Sequence, residues 1–539
     1  SWALSDTIIK FKNIEGAGQK MSWFESQELF SAKLCERVLG VATYQPLVEI
    51  KRYCEMYKTR EIPTLALAKE LNPTLTIDGV QSLLLQLVEE GFIFYDKQKE
   101  MVYVKDKTFN YVFASAGKKD YDIIAIPSVT KEPNALLNLK NYDLNVNGIS
   151  QFYLSDSQFV LIYPKDDKLT IKKNRDMLFD GTIVSGNIDF KGTNFYFSYD
   201  TFNIKMNAVD SMILYVESTE IDDNGNPLYL PVNTNISVTS GRLQIDKTDN
   251  KSSKVHHKEY SIFTTYDYSI ADYEKPTIFD NVYDKEEFYF KLDPFTLESS
   301  DSLDYRKVKF DGTMISDGIF PDFREALKLQ EDRSLGFKTT TPAGGFPTYG
   351  KLGKYTGNLT LSNQGFRGSG TIDFMASKSQ STDIIFFPDS TLAKVEDFTV
   401  AKTESGVQFP AGSNTGVTTR WLPYEDKMIV QQGTKPFDLF ENQATLKGTA
   451  IVTSKGLEGD GTMFWGEVKL KSNQFKYKAN NALSDTASVT IGQVTPDLVA
   501  LKLDNVNMDV DFKERIGHFK ANYDSIMTEL PYNEYKTDM

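Results

Sequence analysis

The sequence contains few of the residues on which disulfide frameworks and metal sites depend. Its 539 residues include 2 cysteines, Cys35 and Cys54, and 3 histidines. Two thiols in one segment cannot define a disulfide scaffold or a zinc site, so we expect both to be unpaired and buried, with a bridge between them as the alternative. His256 and His257 are adjacent and would point to opposite faces of a strand, so they cannot bind one ion together from there. We interpret this pair as solvated loop residues, and with only His518 besides, we predict no metal site and no cofactor.

Long apolar runs and an excess of positive charge are also missing. No stretch of about 18 apolar residues is present, which excludes a membrane-spanning helix within this sequence. Lys and Arg number 60 against 74 Asp and Glu, for a net charge of −14. Such a surface repels phosphate backbones, so we expect no nucleic acid partner, whereas lipid binding is left open.

Two catalytic signatures are absent, and a calcium signature is incomplete. Neither G-x-S-x-G nor G-x-x-x-x-G-K-[ST] occurs, so a nucleophile elbow and a P-loop have no support. The segment "DDNGNP", residues 222–227, resembles the start of a calcium loop, but its sixth and twelfth places hold Pro227 and Asn233 instead of Gly and Glu. We therefore predict a hairpin turn here, and no catalytic residue is predicted anywhere in the chain.

Aromatic residues are abundant, and they occur in alternating patterns. Phe and Tyr number 36 and 28, and together with Thr, Ile and Val they favour pleated sheets. Residues 136–164 and 194–218 alternate apolar and polar side chains with period two, which is typical of strands with one solvated face. The sequence thus predicts a mainly β protein, with β-rich regions over residues 116–335 and 336–539.

A helical segment interrupts this pattern near the N-terminus. Residues 1–20 predict an initial strand and turn, and residues 21–115 an α-helical insert, because apolar side chains such as Phe30, Leu34 and Val38 recur every three to four positions. The order helix, turn, helix and hairpin is similar to a winged helix. The second of these helices carries Asp78 and Glu89 but no Lys or Arg, so we expect a structural or protein-docking insert instead of a DNA reader.

Glycine-rich strand modules repeat near residues 355–390 and 446–481. "YTGNLTLSNQGFRGSGTIDFM" (355–375) and "LKGTAIVTSKGLEGDGTMFWG" (446–466) match at four glycines 91 residues apart, and "FDGTIVS" (179–185) and "FDGTMIS" (310–316) resemble each other. One such unit cannot bury its apolar face alone, so stacked copies predict elongated, solenoid-like or groove-like sheets. A compact globule of this length has a radius of gyration of about 24 Å, and we expect a larger value.

Two loop segments place aromatic residues beside prolines. They are "GGFPTYG" (344–350), with Phe346 and Tyr349, and "TTRWLPYEDKM" (418–428), with Trp421 and Tyr424. Exposed aromatics on a rigid sheet would serve contact with glycan or protein. The alternative is that these four side chains cap the ends of the sheets as part of the core.

Several strings resemble a family of very large, uncharacterised envelope proteins of Bacteroidota. They include "SLGFKTTTPAGGFPTYGKLGKYTGNLTLSNQGFRGSGTIDF", "FFPDS", "WLPYEDKM", "PFDLF" and, upstream, "EEFYFKLDPFTLES" and "GIFPDF". The resemblance implies an exported protein of the periplasm or outer membrane, of which this chain is a fragment, and it provides no catalytic motif. The short G-x-L-x-L strands are also similar to the β-grooves of the AsmA and TamB type, which handle lipid.

These observations predict a non-catalytic envelope protein that acts as an extended scaffold or as a binding surface for protein or glycan. Two alternatives stay open. The first is a carbohydrate-active enzyme on a β-helix, whose paired carboxylates sequence alone does not identify among 74 acidic residues. The second is a lipid-handling groove, which would need an almost uninterrupted apolar inner face.

Overall fold

The protein is mainly β, as predicted. The computed structural model describes residues 8–13, 20–25, 46–89, 91–116, 118, 120, 122, 124–131, 133–298, 309–492 and 500–522. Two compact units contain these residues. The first lies within Ser1–Pro231, Asn235–Ser269 and Pro294–Tyr305, and the second within Val232–Thr234, Ile270–Asp293 and Arg306–Met539.

The N-terminal part of the first unit contains two paired strands and a small helical module. The strands are β1 (Ile8–Asn13) and β2 (Lys20–Glu25). The module consists of α1 (Pro46–Tyr57), β3 (Glu61–Pro63), α2 (Thr64–Leu71), α3 (Ile77–Glu89), β4 (Ile93–Asp96), β5 (Met101–Val104) and α4 (Asp106–Ser115). Its strands pair in the order β3-β5-β4, which with α1 to α3 is the arrangement of a winged helix.

Local sequence explains the module well. Thr76 caps α3, because its Oγ1 accepts the Gly79 N–H at 3.2 Å. Leu67, Val80 and Leu84 are fully buried and form the core of the module with Cys54, which is 5% exposed. Burial raises the pKa of the Cys54 thiol. Cys35 and the helical pattern through Phe30, Leu34 and Val38 lie outside the described residues.

The prediction that the helical insert begins at residue 21 is wrong, because residues 20–25 form strand β2. Strand β6 (Ala125–Thr130) pairs antiparallel with all six residues of β2, from Lys20↔Thr130 to Glu25↔Ala125. The short segment "KMSWFE" is compatible with the periodicity of a helix and with that of a strand. It forms a strand because it hydrogen-bonds to a partner strand about a hundred residues away.

The middle of the chain forms fifteen further strands. They are β7 (Ala135–Leu137), β8 (Leu144–Asn147), β9 (Phe152–Ser155), β10 (Val160–Pro164), β11 (Lys168–Ile171), β12 (Met177–Ser185), β13 (Ile188–Ser198), β14 (Asn203–Ile221), β15 (Pro227–Pro231), β16 (Asn235–Val238), β17 (Gly241–Gln244), β18 (Ile262–Thr265), β19 (Ser269–Asp272), β20 (Phe288–Leu292) and β21 (Thr296–Leu297). In the first unit β12, β13 and β14 pair in sequence, β10 and β11 flank β12, and β15, β16 and β17 flank β14, always antiparallel.

The second unit is dominated by consecutive antiparallel strands. They are β22 (Lys309–Ser316), β23 (Phe323–Leu329), β24 (Leu335–Thr340), β25 (Phe346–Thr348), β26 (Gly353–Ser362), β27 (Gly365–Phe374), β28 (Ser377–Phe386), β29 (Thr391–Val400), β30 (Gly412–Leu422), β31 (Lys427–Gln431), β32 (Phe437–Leu439), β33 (Ala444–Thr453), β34 (Gly456–Trp465), β35 (Val468–Tyr477), β36 (Asn481–Ile491), β37 (Leu501–Asp511) and β38 (Ile516–Ala521). From β26 to β30 and from β33 to β38, each strand pairs with the next, and β31 and β32 both join β30 to β33.

The repeated sequence modules fold in the same register. Gly357 faces Gly370 across β26 and β27, and Gly448 faces Gly461 across β33 and β34. After each pair the ladder to the following strand shifts by a bulge. The inward positions predicted from period two, among them Leu359 at 0% exposure, are buried. The repetition therefore encodes one recurring strand geometry in which two backbones approach closely.

No helix in the described part of the chain combines the length and the apolar character needed to cross a membrane.

Candidate functional site

Of the four predicted aromatic residues, two are buried, Phe346 is half-buried and one is exposed. Trp421, on β30, and Tyr349, just after β25, are each 1% exposed, and their rings meet edge to face with centroids 5.2 Å apart. Phe346 lies on β25 and packs on Phe323 at 5.3 Å. Tyr424 lies in the 3₁₀ turn Pro423–Glu425 and is 63% exposed, as expected of a binding residue.

Hydrogen bonds make Tyr349 part of the core. Its hydroxyl lies 2.8 Å from the Ser390 carbonyl oxygen, 2.9 Å from the Phe387 carbonyl oxygen and 2.7 Å from Thr391 Oγ1. Buried tyrosine hydroxyls need such partners, because an unsatisfied one costs free energy. For Tyr349 these hydrogen bonds, and for Trp421 its burial against the Tyr349 ring, favour the alternative that the two residues cap the sheet.

Tyr424 stands among carboxyl groups. Its ring contacts Tyr349 edge to face at 6.0 Å. Partial burial, followed by the negative charges of Asp317 and Asp389, raises the pKa of Tyr424. We define the Tyr424 patch as Tyr424, the neighbouring Asp317 and Asp389, and the two carboxyl groups that act on Asp317, which are Asp284 and Glu287. It combines an exposed aromatic face with hydrogen-bond acceptors, which is a suitable surface for the rings and hydroxyls of a sugar.

The Asp317 and Glu287 side chains of the patch are hydrogen-bonded to each other. Burial is the largest cause that raises the pKa of Asp317, and its hydrogen bond with the Glu287 carboxyl raises it further, as do the charges of Glu287 and Asp284. The Asp317 N–H also donates to the Glu287 carbonyl oxygen at 3.0 Å, which fixes the two residues side by side. A raised pKa is the property that acid catalysts and carboxyl hydrogen-bond donors have in common.

We expect ionisation of Asp317 to lower the stability of the second unit as the pH rises. The pKa of Asp317 is higher in the folded state than in the unfolded chain. Its contribution to folding stability is therefore fully present below about pH 4, the pKa in the unfolded chain, and is lost as the pH rises through the pKa in the folded state. Asp317→Asn mimics the protonated form, and Asn tolerates the backbone φ of 50° there. We expect its melting temperature to equal that of the wild type near pH 4 and to exceed it increasingly toward pH 7.

Thermal unfolding between pH 4 and 7 tests this expectation. Asp438→Asn, at an exposed position of β32, controls for the loss of one negative charge. If the difference in melting temperature between Asp317→Asn and wild type stays constant over this range, or shrinks toward pH 7, the raised pKa of Asp317 is contradicted.

The interpretation of the histidine pair as solvated loop residues is wrong for His257. The fully buried carboxylate of Asp246 lies 2.8 Å from His257 Nδ1, and it also accepts hydrogen bonds from Asn250 Nδ2 at 2.7 Å and Gln158 Nε2 at 3.2 Å. A buried carboxylate must collect donors, and the loop after β17 folds back to provide them. His256 is exposed, with Nδ1 2.6 Å from the Ser157 carbonyl oxygen.

The predicted turn at residues 222–227 is confirmed. Strands β14 and β15 meet at Ile221↔Pro227, and Asp222 Oδ1 accepts the N–H groups of Asn224 and Asn226 at 2.9 and 2.8 Å. The backbone hydrogen bond from Asn226 is the largest cause that lowers the pKa of Asp222. Within the described ranges, no group of three or more His, Cys, Asp or Glu residues is placed to hold a metal ion.

A cleft of about 350 Å³ lies beside β8, β11 and β12 in the first unit. Its polar groups largely satisfy one another, since Thr170 Oγ1 donates to Asn145 Oδ1 at 2.8 Å and the Asn194 N–H donates to Asp180 Oδ1 at 2.7 Å. The lining contains two lysines and two aspartates, so the cleft has no net charge to select a ligand.

Sequence reasoning identified Tyr424 but missed the carboxyl groups around it. One turn contains Asp284 and Glu287, and Asp317 lies in another turn about thirty residues later. No spacing in the sequence indicates that the two turns meet. The pairing of β20 with β22 brings them together, because it places Phe288 opposite Ser316. No family model, curated protein or solved structure matches this chain.

Proposed function

We propose that this chain is a non-catalytic scaffold of a bacterial envelope and that it presents a binding surface for glycan. The observation that carries the proposal is the Tyr424 patch, in which an exposed aromatic ring in the tight turn that joins β30 to β31 lies near the carboxyl groups of Asp317 and Asp389. Binding residues on rigid elements lose little conformational freedom when a ligand docks. The resemblance to envelope proteins of Bacteroidota supports a location in the periplasm or at the outer membrane.

Replacing Tyr424 by alanine tests the binding role. Because the ring is exposed, we expect the fold to persist while affinity for a bound polysaccharide falls by about tenfold or more. Affinity electrophoresis against a panel of soluble neutral polysaccharides measures this loss. Tyr266→Ala removes a tyrosine of similar exposure, 56%, from the first unit and should leave affinity unchanged. The absence of binding by wild type across the panel, or equal binding by both variants, would count against the proposal.

The raised pKa of Asp317 favours one alternative, a carbohydrate-active enzyme. A raised pKa suits a general acid of glycoside hydrolysis, but the second carboxylate of such a site lies about 5 Å or more away, farther than the hydrogen-bonded Glu287. Reducing-end assays on the same polysaccharides separate the two functions. Turnover by the wild type that Asp317→Asn abolishes would replace the scaffold proposal with the enzymatic one.

A further inference from the structure

A second pocket lies in the second unit, apart from the Tyr424 patch. It has a volume of about 250 Å³ and is enclosed by the segments around Lys402 and Ala411, around Phe440, around Ala479 and around Phe512. Phe440 and Phe512 form its floor, with stacked rings 3.9 Å apart at an interplanar angle of 14°. The pocket adjoins the beginning of β30, whereas Tyr424 follows the end of this strand.

The pocket is basic although the chain is acidic. Lys402, Lys513 and Arg515 contribute to its lining, and Glu441 is the carboxylate among the lining residues. This lining has a net charge of +2, in a chain whose net charge is −14. Such a local reversal of sign focuses the field on one small concave site and attracts anions. We call this site the basic pocket.

Two of the three cations have no competing partner in the described part of the chain. Lys402 pairs with Glu404 at 3.2 Å and lies 3.9 Å from Glu441. No carboxylate of the described residues lies within 4.0 Å of the charged nitrogens of Lys513 or Arg515. Their side chains are exposed at the mouth of the pocket. An arginine in this position can bind a carboxylate through two parallel hydrogen bonds.

Backbone contacts hold the basic pocket in shape. Asp511 Oδ1 accepts the N–H groups of Lys513 and Glu514, each at 2.9 Å, and so fixes the turn between β37 and β38. The Phe512 N–H donates to the Asn480 carbonyl oxygen and the Phe440 N–H to the Ala411 carbonyl oxygen, both at 2.8 Å. The segments are therefore tied to one another before any ligand binds, which limits the entropy lost on binding.

We propose that the basic pocket binds a sugar that bears a carboxylate, one uronate residue in size. The volume is below that of a drug-sized site and suits a single ring. Arg515 and Lys513 bind the carboxylate, the apolar floor faces the carbon skeleton, and Gln443 and Asn480 of the lining bind hydroxyls. The stacked rings of Phe440 and Phe512 favour a carboxylate that is carried on a carbon skeleton over phosphate, which has no apolar surface to contact them. This inference does not depend on glycan binding at the Tyr424 patch.

Isothermal titration of the whole chain with glucuronate, glucose and inorganic phosphate tests the assignment. We expect glucuronate to bind with an affinity that decreases as salt is added, and glucose and phosphate to bind at least tenfold more weakly. Arg515→Gln should weaken glucuronate binding by about tenfold or more, because a hydrogen bond to a charged group is lost. Lys520→Gln, an exposed cation of the same hairpin outside the pocket, should change nothing.

Glu441→Gln provides a change of opposite sign. Removing the carboxylate of the lining should strengthen glucuronate binding, a gain that a misfolded variant could not produce. Equal binding of glucose, tighter binding of phosphate, no binding of glucuronate, or unchanged affinity in Arg515→Gln would each overturn the proposal.

Discussion

Gly448→Ala is expected to destabilise the second unit by about 3 kcal/mol or more, the sum of backbone strain and steric overlap. A Cβ atom at this position would lie 1.9 Å from the Asp460 carbonyl oxygen and 2.9 Å from Gly461 Cα, and the backbone φ is +158°. Both contacts are backbone atoms of the paired strand, so no side chain can rotate away. The ladder itself would have to open.

The same geometry recurs in the other copy, where a Cβ at Gly357 would lie 2.4 Å from the Ser369 carbonyl oxygen. Gly357→Ala should therefore show a loss of similar size. Gly344→Ala is the matched control, because its Cβ would meet nothing within 4 Å, and we expect a change within about 0.5 kcal/mol. Urea unfolding followed by circular dichroism measures all three. Equal stability of Gly448→Ala and Gly344→Ala would refute the role of the glycine pairs.

Trp421→Ala is expected to cost about 3 to 5 kcal/mol, the usual range for deleting a large buried aromatic side chain. The indole is 1% exposed and is held between Tyr349 and Phe374, each with ring centroids 5.2 Å away. Gly353 leaves the space for it, since a Cβ there would lie 2.4 Å from an indole carbon. The surrounding strands cannot collapse fully into the vacated volume, so a cavity would remain.

Tyr424→Ala is the informative comparison for this prediction. The two residues are three positions apart, yet Tyr424 is mostly exposed and its removal should cost less than about 1 kcal/mol. Differential scanning calorimetry of both variants measures the contrast. A small loss for Trp421→Ala, comparable to that of Tyr424→Ala, would mean that Trp421 is not a core residue.

The strands of the repeats could be predicted because their information is local. Leu359 and Phe374 alternate with polar neighbours, and both are buried as the pattern indicates. The turn at Asp222 could be predicted for the same reason, since its hydrogen bonds join residues two and four positions apart. Strand β2 could not, because its pairing with β6 joins segments that are a hundred residues apart.

Side-chain exposure was the weakest part of the prediction. Trp421 and Tyr424 are aromatic residues of the same short segment. Only the fold buries Trp421 and leaves Tyr424 exposed to solvent. His257 has no local signal for its contact with Asp246, because the partner becomes buried only when the loop between them closes.

The amino-acid sequence alone determined that the chain forms sheets, where the glycine-rich strands repeat and how the helical module is ordered, since periodicity and capping act between near neighbours. The tertiary structure decided which aromatic rings are exposed, which carboxyl groups lie next to each other and which cations lie near the stacked Phe440 and Phe512. These properties depend on contacts between residues that are distant in the chain, and such contacts exist only after the strands have paired.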